Sequence, residues 1–254
     1  MAVLSGDHRV SGYSCPSEET DMSEERYTDT KVRGLRKIIA ERMSISAHEN
    51  AAIMLSRAAD VTDLMVIHEK AKKEAEDRGE KAPSINDMVL KAAALALRKH
   101  PALNSTFENG IVRTYEDINV NMAVAIPNGL MTPVIRNADS LTVNEIMAVT
   151  RELTDKARNG ALAVEDMVGG TFTVTNVGKM KIEVATAIIN PPQVAILCVG
   201  AVVPRLERIA GEITDRFRLY LSLTVDHRII DGYPASLYLD TVCEILEDPV
   251  RIVQ

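Results

Sequence analysis

The apolar run Leu221-Ser222-Leu223-Thr224-Val225 stops abruptly at Asp226-His227-Arg228, and four residues beyond the histidine come Asp231 and Gly232. Alternating and partly β-branched residues make a strand, and one this apolar belongs inside a sheet. Such a strand delivers one imidazole to a rigid sheet end. Asp231 and Gly232 then turn the chain, and Pro234 stands where a helix would start, since the N–H it lacks would find no partner in a first turn anyway. His227 therefore reads as a confined base beside a carboxylate. An imidazole titrates close to neutral pH, and a general base has to be held in one tautomer. Three fixed positions also recur by chance, and a structural histidine at a strand end fits the same pattern.

The remainder of the chain supplies such a sheet. From Thr30 a helical period sets Leu35, Ile38, Ile39, Arg42 and Met43 on one face, and Arg33, Arg36, Lys37 and Arg42 make the segment basic. Residues 51–60 alternate as a strand. Residues 61–78 form an amphipathic helix with Leu64, Ile67, His68, Ala71 and Ala75 inward, stopped by Gly79. Ser84-Ile85-Asn86-Asp87 is a capping-box variant that opens a very apolar helix at 88–99, and its alanines permit close approach to a sheet. Short strands at 105–107 and 111–113 flank a Glu108-Asn109-Gly110 turn. Residues 119–126 read as one strand. A helix capped by Thr142 runs to Arg158, strands follow at 171–175 and 194–199, and the last two strands flank 209–211 ahead of a helix at 234–246. Helices and strands interleave without an internal repeat, which predicts an α/β or α+β fold with a large mixed sheet.

Composition narrows the function classes. A net charge of −7 over 254 residues, with no basic block, argues against nucleic acid. No apolar run reaches membrane-spanning length. Cys15, Cys198 and Cys243 are odd in number and lack C-x-x-C spacing, which points to a reducing, cytoplasmic setting and away from disulfides or structural zinc. Residues 1–30 are a flexible, acid-rich tail without periodicity, leaving 31–254 as the folded domain.

A second polar cluster is Gly169-Gly170-Thr171-Phe172-Thr173-Val174-Thr175-Asn176-Val177-Gly178. In a strand Thr171, Thr173 and Thr175 share one face. A row of hydroxyls ending in Asn176 and Gly178 is able to offer a donor to an oxyanion. Spacing alone favours the plainer alternative, a solvent-exposed threonine face on an edge strand.

Several blocks, in order, carry a resemblance: Leu35-Arg36-Lys37-Ile38-Ile39-Ala40-Glu41-Arg42-Met43; Ser84-Ile85-Asn86-Asp87-Met88; Ala123-Val124-Ala125-Ile126-Pro127-Asn128-Gly129-Leu130-Met131-Thr132-Pro133; the cluster from Gly169 to Gly178; Ala187-Ile188-Ile189-Asn190-Pro191-Pro192-Gln193; and the stretch from Asp226 to Gly232. From about Lys31 onward the chain resembles the catalytic domain of the dihydrolipoamide acyltransferases of 2-oxo acid dehydrogenase complexes, which share a fold with the chloramphenicol acetyltransferases. The resemblance implies that His227 takes the thiol proton of coenzyme A, or of dihydrolipoamide in reverse, and that the thiolate attacks the thioester of a lipoyl carrier. It implies Thr175 as oxyanion donor, Asp231 as a clamp on the loop through Arg228, Arg33 or Arg36, and Gly232, Asn176 and Arg228 as support. Neither an acyl-enzyme nor a metal is required, since positioning and proton transfer carry the reaction. It further implies a homotrimer in which the histidine of one subunit faces the threonine strand of the next. Larger cubic or dodecahedral cages, a lipoyl domain supplied in trans, and the decarboxylase and dihydrolipoyl dehydrogenase components would be the partners.

Three segments depart from the family pattern. Ala51-Ala52-Ile53 stands where Pro-His and an aromatic are usual, 179–185 replaces a Gly- and aromatic-rich segment, and Tyr233-Pro234 replaces a small pair. The first two keep open a non-catalytic cage-forming scaffold, and a free-standing acetyltransferase of the chloramphenicol type is the other alternative, against which Ile188-Ile189-Asn190-Pro191-Pro192 and Asn128-Gly129-Leu130 count.

Overall fold

The computed structural model describes residues 27–127 and 129–253. Of the expected tail, residues 1–26 lie outside that range, and 27–30 carry no regular structure. In the unit that begins at Arg33, the elements run α1 (Gly34–Glu49), β1 (Ala52–Asp60), α2 (Thr62–Asp77), α3 (Ile85–Lys99), β2 (Ser105–Glu108), β3 (Ile111–Thr114), β4 (Val120–Met122), β5 (Val124–Ile126), β6 (Gly129–Met131), β7 (Val134–Ile135), α4 (Val143–Arg158), β8 (Phe172–Asn176), β9 (Ala195–Ile209), β10 (Glu212–Asp226), α5 (Gly232–Glu247) and α6 (Val250–Val253).

Six strands make one mixed sheet in the order β1-β10-β9-β8-β4-β7, with β8 parallel to both its neighbours and the other pairs antiparallel. The expected large mixed sheet with flanking helices is therefore present. Its spine is the β9–β10 hairpin, closed by Ala210 and Gly211 with φ of 51° and 94°. The hairpin at Asn109-Gly110 turns the same way, both residues sitting at positive φ, which asparagine and glycine tolerate best.

Strand alternation gives the sheet two unlike faces. One carries Leu219, Leu221, Leu223, Val225, Leu197, Val199, Phe172 and Val174, all buried. This face meets α3 and α5, where Ala92, Ala93 and Ala96 let the backbone come close. Tyr238 of α5 is fully buried there, with its ring 5.5 Å from that of Phe172 and its hydroxyl donating to the Ala93 carbonyl. The opposite face is polar. Register places Ser56, Ser222, Cys198 and Thr175 in one row across four strands, and Met54, Thr224, Ile196, Thr173 and Asn121 in the next. The segment 182–193 lies against it, through Thr186 on Met54 and Gln193 on Thr173 and Asn121.

The threonine strand is thus interior, and the expectation of a solvent-exposed threonine edge is corrected. Thr171 and Thr173 are 2% and 1% exposed. The reason is long-range: the covering segment comes from beyond the strand and brings amide partners with it. Residues 119–126, read as one strand, split at Ala123, whose N–H turns to the Val174 carbonyl; β4 stays in the main sheet and β5 pairs with β6. In α1 the apolar face stays largely open: Leu35 and Ile38 are exposed, and Ser46 is the buried residue. Ile67 of α2 is likewise exposed. Helix α1 is attached by polar contacts of its second half, Arg42 to the Pro191 carbonyl and Ser46 to the Ile189 carbonyl.

The start of α3 is fixed by a reciprocal box. Ser84 Oγ accepts from the Asp87 N–H, while Asp87 Oδ2 accepts from the Ser84 N–H and hydroxyl, each at 2.7 Å. Asp87 Oδ1 also accepts from Thr150 of α4 at 2.7 Å, so one buried carboxylate joins two helices. Ser84→Ala is expected to lower unfolding stability by about 1–2 kcal/mol, seen as a lower urea midpoint with an unchanged m-value.

Candidate active site

The end of β10 is pinned on every side. The Asp226 N–H donates to the Val194 carbonyl and the His227 N–H to the Ala51 carbonyl, both at 2.9 Å, while the Asp226 carbonyl accepts from the N–H groups of Ile229 and Ile230. The Asp226 carboxylate, 2% exposed, receives the Arg228 guanidinium through Nε (3.0 Å) and Nη2 (2.6 Å), and this bonding raises the arginine above its ordinary pKa. Between these two anchored residues the His227 imidazole projects outward, its side chain 44% exposed. Its nearest ionic neighbour is Asp231, with Nδ1 and Oδ1 3.8 Å apart, too long for a hydrogen bond.

Asp231 itself is 82% exposed and stands at the N-cap of α5 without bonding its backbone amides. Among the described residues it forms no ion pair with Arg228, Arg33 or Arg36. This corrects the expectation of an Asp231–arginine clamp. Arg228 grips Asp226 instead, because that carboxylate is buried and needs a partner, whereas Asp231 stands in water. Gly232 opens α5 with open space where a Cβ would project, so the turn needs no glycine there.

Two of the three threonines in β8 and its approach are already occupied. Thr171 Oγ1 donates to Asn104 Oδ1 and Thr173 Oγ1 to Gln193 Oε1, both at 2.5 Å. Gln193 continues to Asn121 and the Gly170 carbonyl. Gly170 is compact for a reason, since an added Cβ would sit 1.9 Å from Asn121 Oδ1. Thr175 is half-buried, and among the described residues its hydroxyl has no hydrogen-bond partner. Asn176, one residue on and facing the helices, accepts from the Gly178 N–H and donates to Asn86, each at 2.8 Å, which fixes the strand end beside α3. The free hydroxyl is thus held rigidly at a known place.

His227 and Thr175 do not meet within one chain. Thr175 is level with Cys198 and Ser222, two strands over and five residues short of His227. At ordinary strand spacing their backbones lie roughly 19 Å apart. The chain brings together His227, Asp226, Arg228 and Asp231 at one place, and Thr175 and Asn176 at another.

Beside the β8 end lies a cleft of about 680 Å³, lined by Ser84 and Asn86 at the start of α3, Arg151 and Arg158 of α4, and Lys179 and Ala201. Arg151 bonds the Ala82 carbonyl at 3.3 Å, whereas Arg158 and Lys179 are exposed. Asp87 and Asp155 line it too, but Asp87 is engaged by Ser84 and Thr150, and a cleft with three cations next to a helix N-terminus suits an anion. Sequence reading did not find it, although Arg151 and Arg158 stand two helical turns apart, a spacing that puts them on one face.

Residues 24–254 match the model of the 2-oxoacid dehydrogenases acyltransferase (catalytic domain) family. The chain is 38% identical over 232 residues to the dihydrolipoyllysine-residue acetyltransferase component of the acetoin cleaving system of Bacillus subtilis, covering 91% of this chain and 58% of that protein. To the succinyltransferase component of the 2-oxoglutarate dehydrogenase complex of Saccharomyces cerevisiae it is 39% identical, over 89% of this chain and 49% of that one. The chain thus spans about half the length of these relatives. Among solved structures, the Azotobacter vinelandii dihydrolipoamide acetyltransferase superposes with a TM-score of 0.84 at 29% identity, over 90% of this chain and 94% of that one. The cubic core of a pyruvate dehydrogenase multienzyme complex gives 0.85 at 29%, over 94% and 100%. A chloramphenicol acetyltransferase at 18% identity and TM-score 0.53, over 81% and 94%, shares the fold.

Proposed function

The chain belongs to the family of 2-oxoacid dehydrogenase acyltransferase catalytic domains, and from that premise we propose that it moves an acyl group between a dihydrolipoyl thiol and coenzyme A. His227 takes the proton of the attacking thiol. The thiolate adds to the thioester carbonyl, and the resulting oxyanion receives a hydrogen bond from Thr175. Collapse expels the other sulfur, which recovers the proton from the imidazolium. The lipoyl group arrives on another domain or chain.

The observation that carries this reading is a rigid, exposed imidazole and a threonine hydroxyl without a partner among the described residues, on backbone positions that one chain holds roughly 19 Å apart. A second copy has to supply the other half, so we propose a homotrimer, with further assembly into a cage and docking of the decarboxylase and dihydrolipoyl dehydrogenase components. The mechanism of the Azotobacter enzyme is described through a serine, a histidine and an asparagine, and Thr175, His227 and Asp231 repeat both intervals in the chain. Dihydrolipoyl thiols persist where dithiols stay reduced, which suits the cytoplasm.

Purified protein given acetyl-CoA or succinyl-CoA and dihydrolipoamide is expected to form the S-acyl product. Turnover with hydroxyl acceptors alone would favour a chloramphenicol-type enzyme, and an assembled but inert protein a scaffold. The phosphates of coenzyme A are assigned to the cationic cleft. Arg158→Gln combined with Lys179→Gln is expected to raise KM for coenzyme A by about tenfold, more steeply at low salt, and to leave KM for dihydrolipoamide unchanged.

A further inference from the structure

Among the described residues the His227 ring has no hydrogen-bond partner, so what aims it there acts through the backbone. The residues on either side are tied to each other: Asp226 Oδ1 accepts from the Arg228 N–H at 3.1 Å, and both carboxylate oxygens accept from the guanidinium. Rotating the backbone at His227 means breaking a pair whose acid is almost completely buried. Breaking such a pair strands a charge away from water, a heavy penalty.

The pair is itself seated on two residues from distant parts of the chain. Arg228 Nη2 donates to Asn50 Oδ1 at 3.0 Å, and its guanidinium carbon lies 5.0 Å from the centre of the Phe107 ring. Asn50 closes α1, with its N–H on the Ser46 carbonyl and its amide on Ser46 Oγ. Phe107, in β2, donates its N–H to the Pro192 carbonyl. Both seats are anchored on one segment, since Ser46 Oγ donates to the Ile189 carbonyl. The arginine is therefore fixed from three directions at once: a carboxylate, an amide oxygen and an aromatic face.

We propose that Phe107 and Asn50 are positioning residues for acyl transfer, holding Arg228 so that the Asp226–Arg228 pair presents His227 in one orientation. This rests on the assignment of His227 as the base. An aromatic ring holds a guanidinium through its negative face, which an aliphatic side chain lacks. Misplacing a reacting group by a fraction of its reach costs rate while leaving substrate binding intact.

The test uses full-length protein with Phe107→Leu, Phe107→Trp, Asn50→Ala and, as reference, His227→Ala. Phe107→Leu and Asn50→Ala are each expected to lower kcat by about tenfold with both KM values within about twofold, and Phe107→Trp to keep kcat within about threefold of the parent. Folding is followed by near-ultraviolet circular dichroism. Should Phe107→Leu fail to fold, Asn50→Ala, at a helix end, decides alone. Unchanged kcat in the folded variants beside an inactive His227→Ala would overturn the positioning role, as would a rise in KM at constant kcat. Full activity in His227→Ala would instead overturn the assigned base.

Discussion

Removal of the His227 imidazole as His227→Ala is expected to lower kcat by about a thousandfold with almost no loss of fold. The two effects separate because of how the residue is held. Its backbone N–H, bonded to the Ala51 carbonyl, survives the substitution. Its side chain is 44% exposed and has no hydrogen-bond partner among the described residues, so alanine creates neither a cavity nor an orphaned polar group there. Substitutions of that kind change stability by about half a kcal/mol or less. The chemistry has no such reserve: without the imidazole, the carboxylates left beside the strand end are Asp226, buried and held by Arg228, and Asp231, 82% exposed, and a carboxylate is a poor base for a thiol. The measurement is thioester formation by the variant and parent at matched oligomeric state and melting temperature. A variant that retains a tenth or more of parental kcat would assign the proton transfer elsewhere.

The parts of this site that were legible in the sequence are the local ones. The strand ending at Asp226, the turn at Asp231 and the helix behind it are written in consecutive residues, and so are the Ser84 and Thr142 capping boxes. What escaped reading depends on partners far away in the chain. Thr173 looks like a surface threonine until Gln193 reaches it, and nothing in the spacing announces that 182–193 folds over the polar face. The split at Ala123 leaves the two-residue period of 119–126 untouched, so periodicity alone sees one strand where the structure has two. The same logic explains the arginine. Charge pattern allowed Arg228, Arg33 or Arg36 to serve Asp231, whereas burial decides the matter: Asp226 is in the row facing the covered side of the sheet and must be neutralised, and Asp231 is out in water and need not be.

Mixing two inactive proteins is expected to restore activity, and this is the sharpest consequence of the sheet register. Thr175→Val removes the hydroxyl while keeping the shape, and loss of one oxyanion donor lowers kcat by about a hundredfold or more. Thr175 is half-buried and its hydroxyl has no partner among the described residues, so valine is tolerated there. Each variant alone then lacks one half of every site. When Thr175→Val and His227→Ala chains are unfolded together and reassembled at equal ratio, a site is whole wherever the first lends its histidine to the second's threonine. In a cyclic assembly that happens at about a quarter of the interfaces, so about a quarter of the parental activity should return. If His227 and Thr175 of one chain served the same carbonyl, no mixture of the two variants would exceed the sum of its parts. Five residues along the strand and two strands across make that single-chain arrangement unreachable, since the attacking sulfur must lie about 3 Å from the imidazole and the carbonyl oxygen it adds beside about 3 Å from the hydroxyl. Recovery on mixing therefore reads the subunit composition of the site directly, independently of which acyl group the enzyme carries.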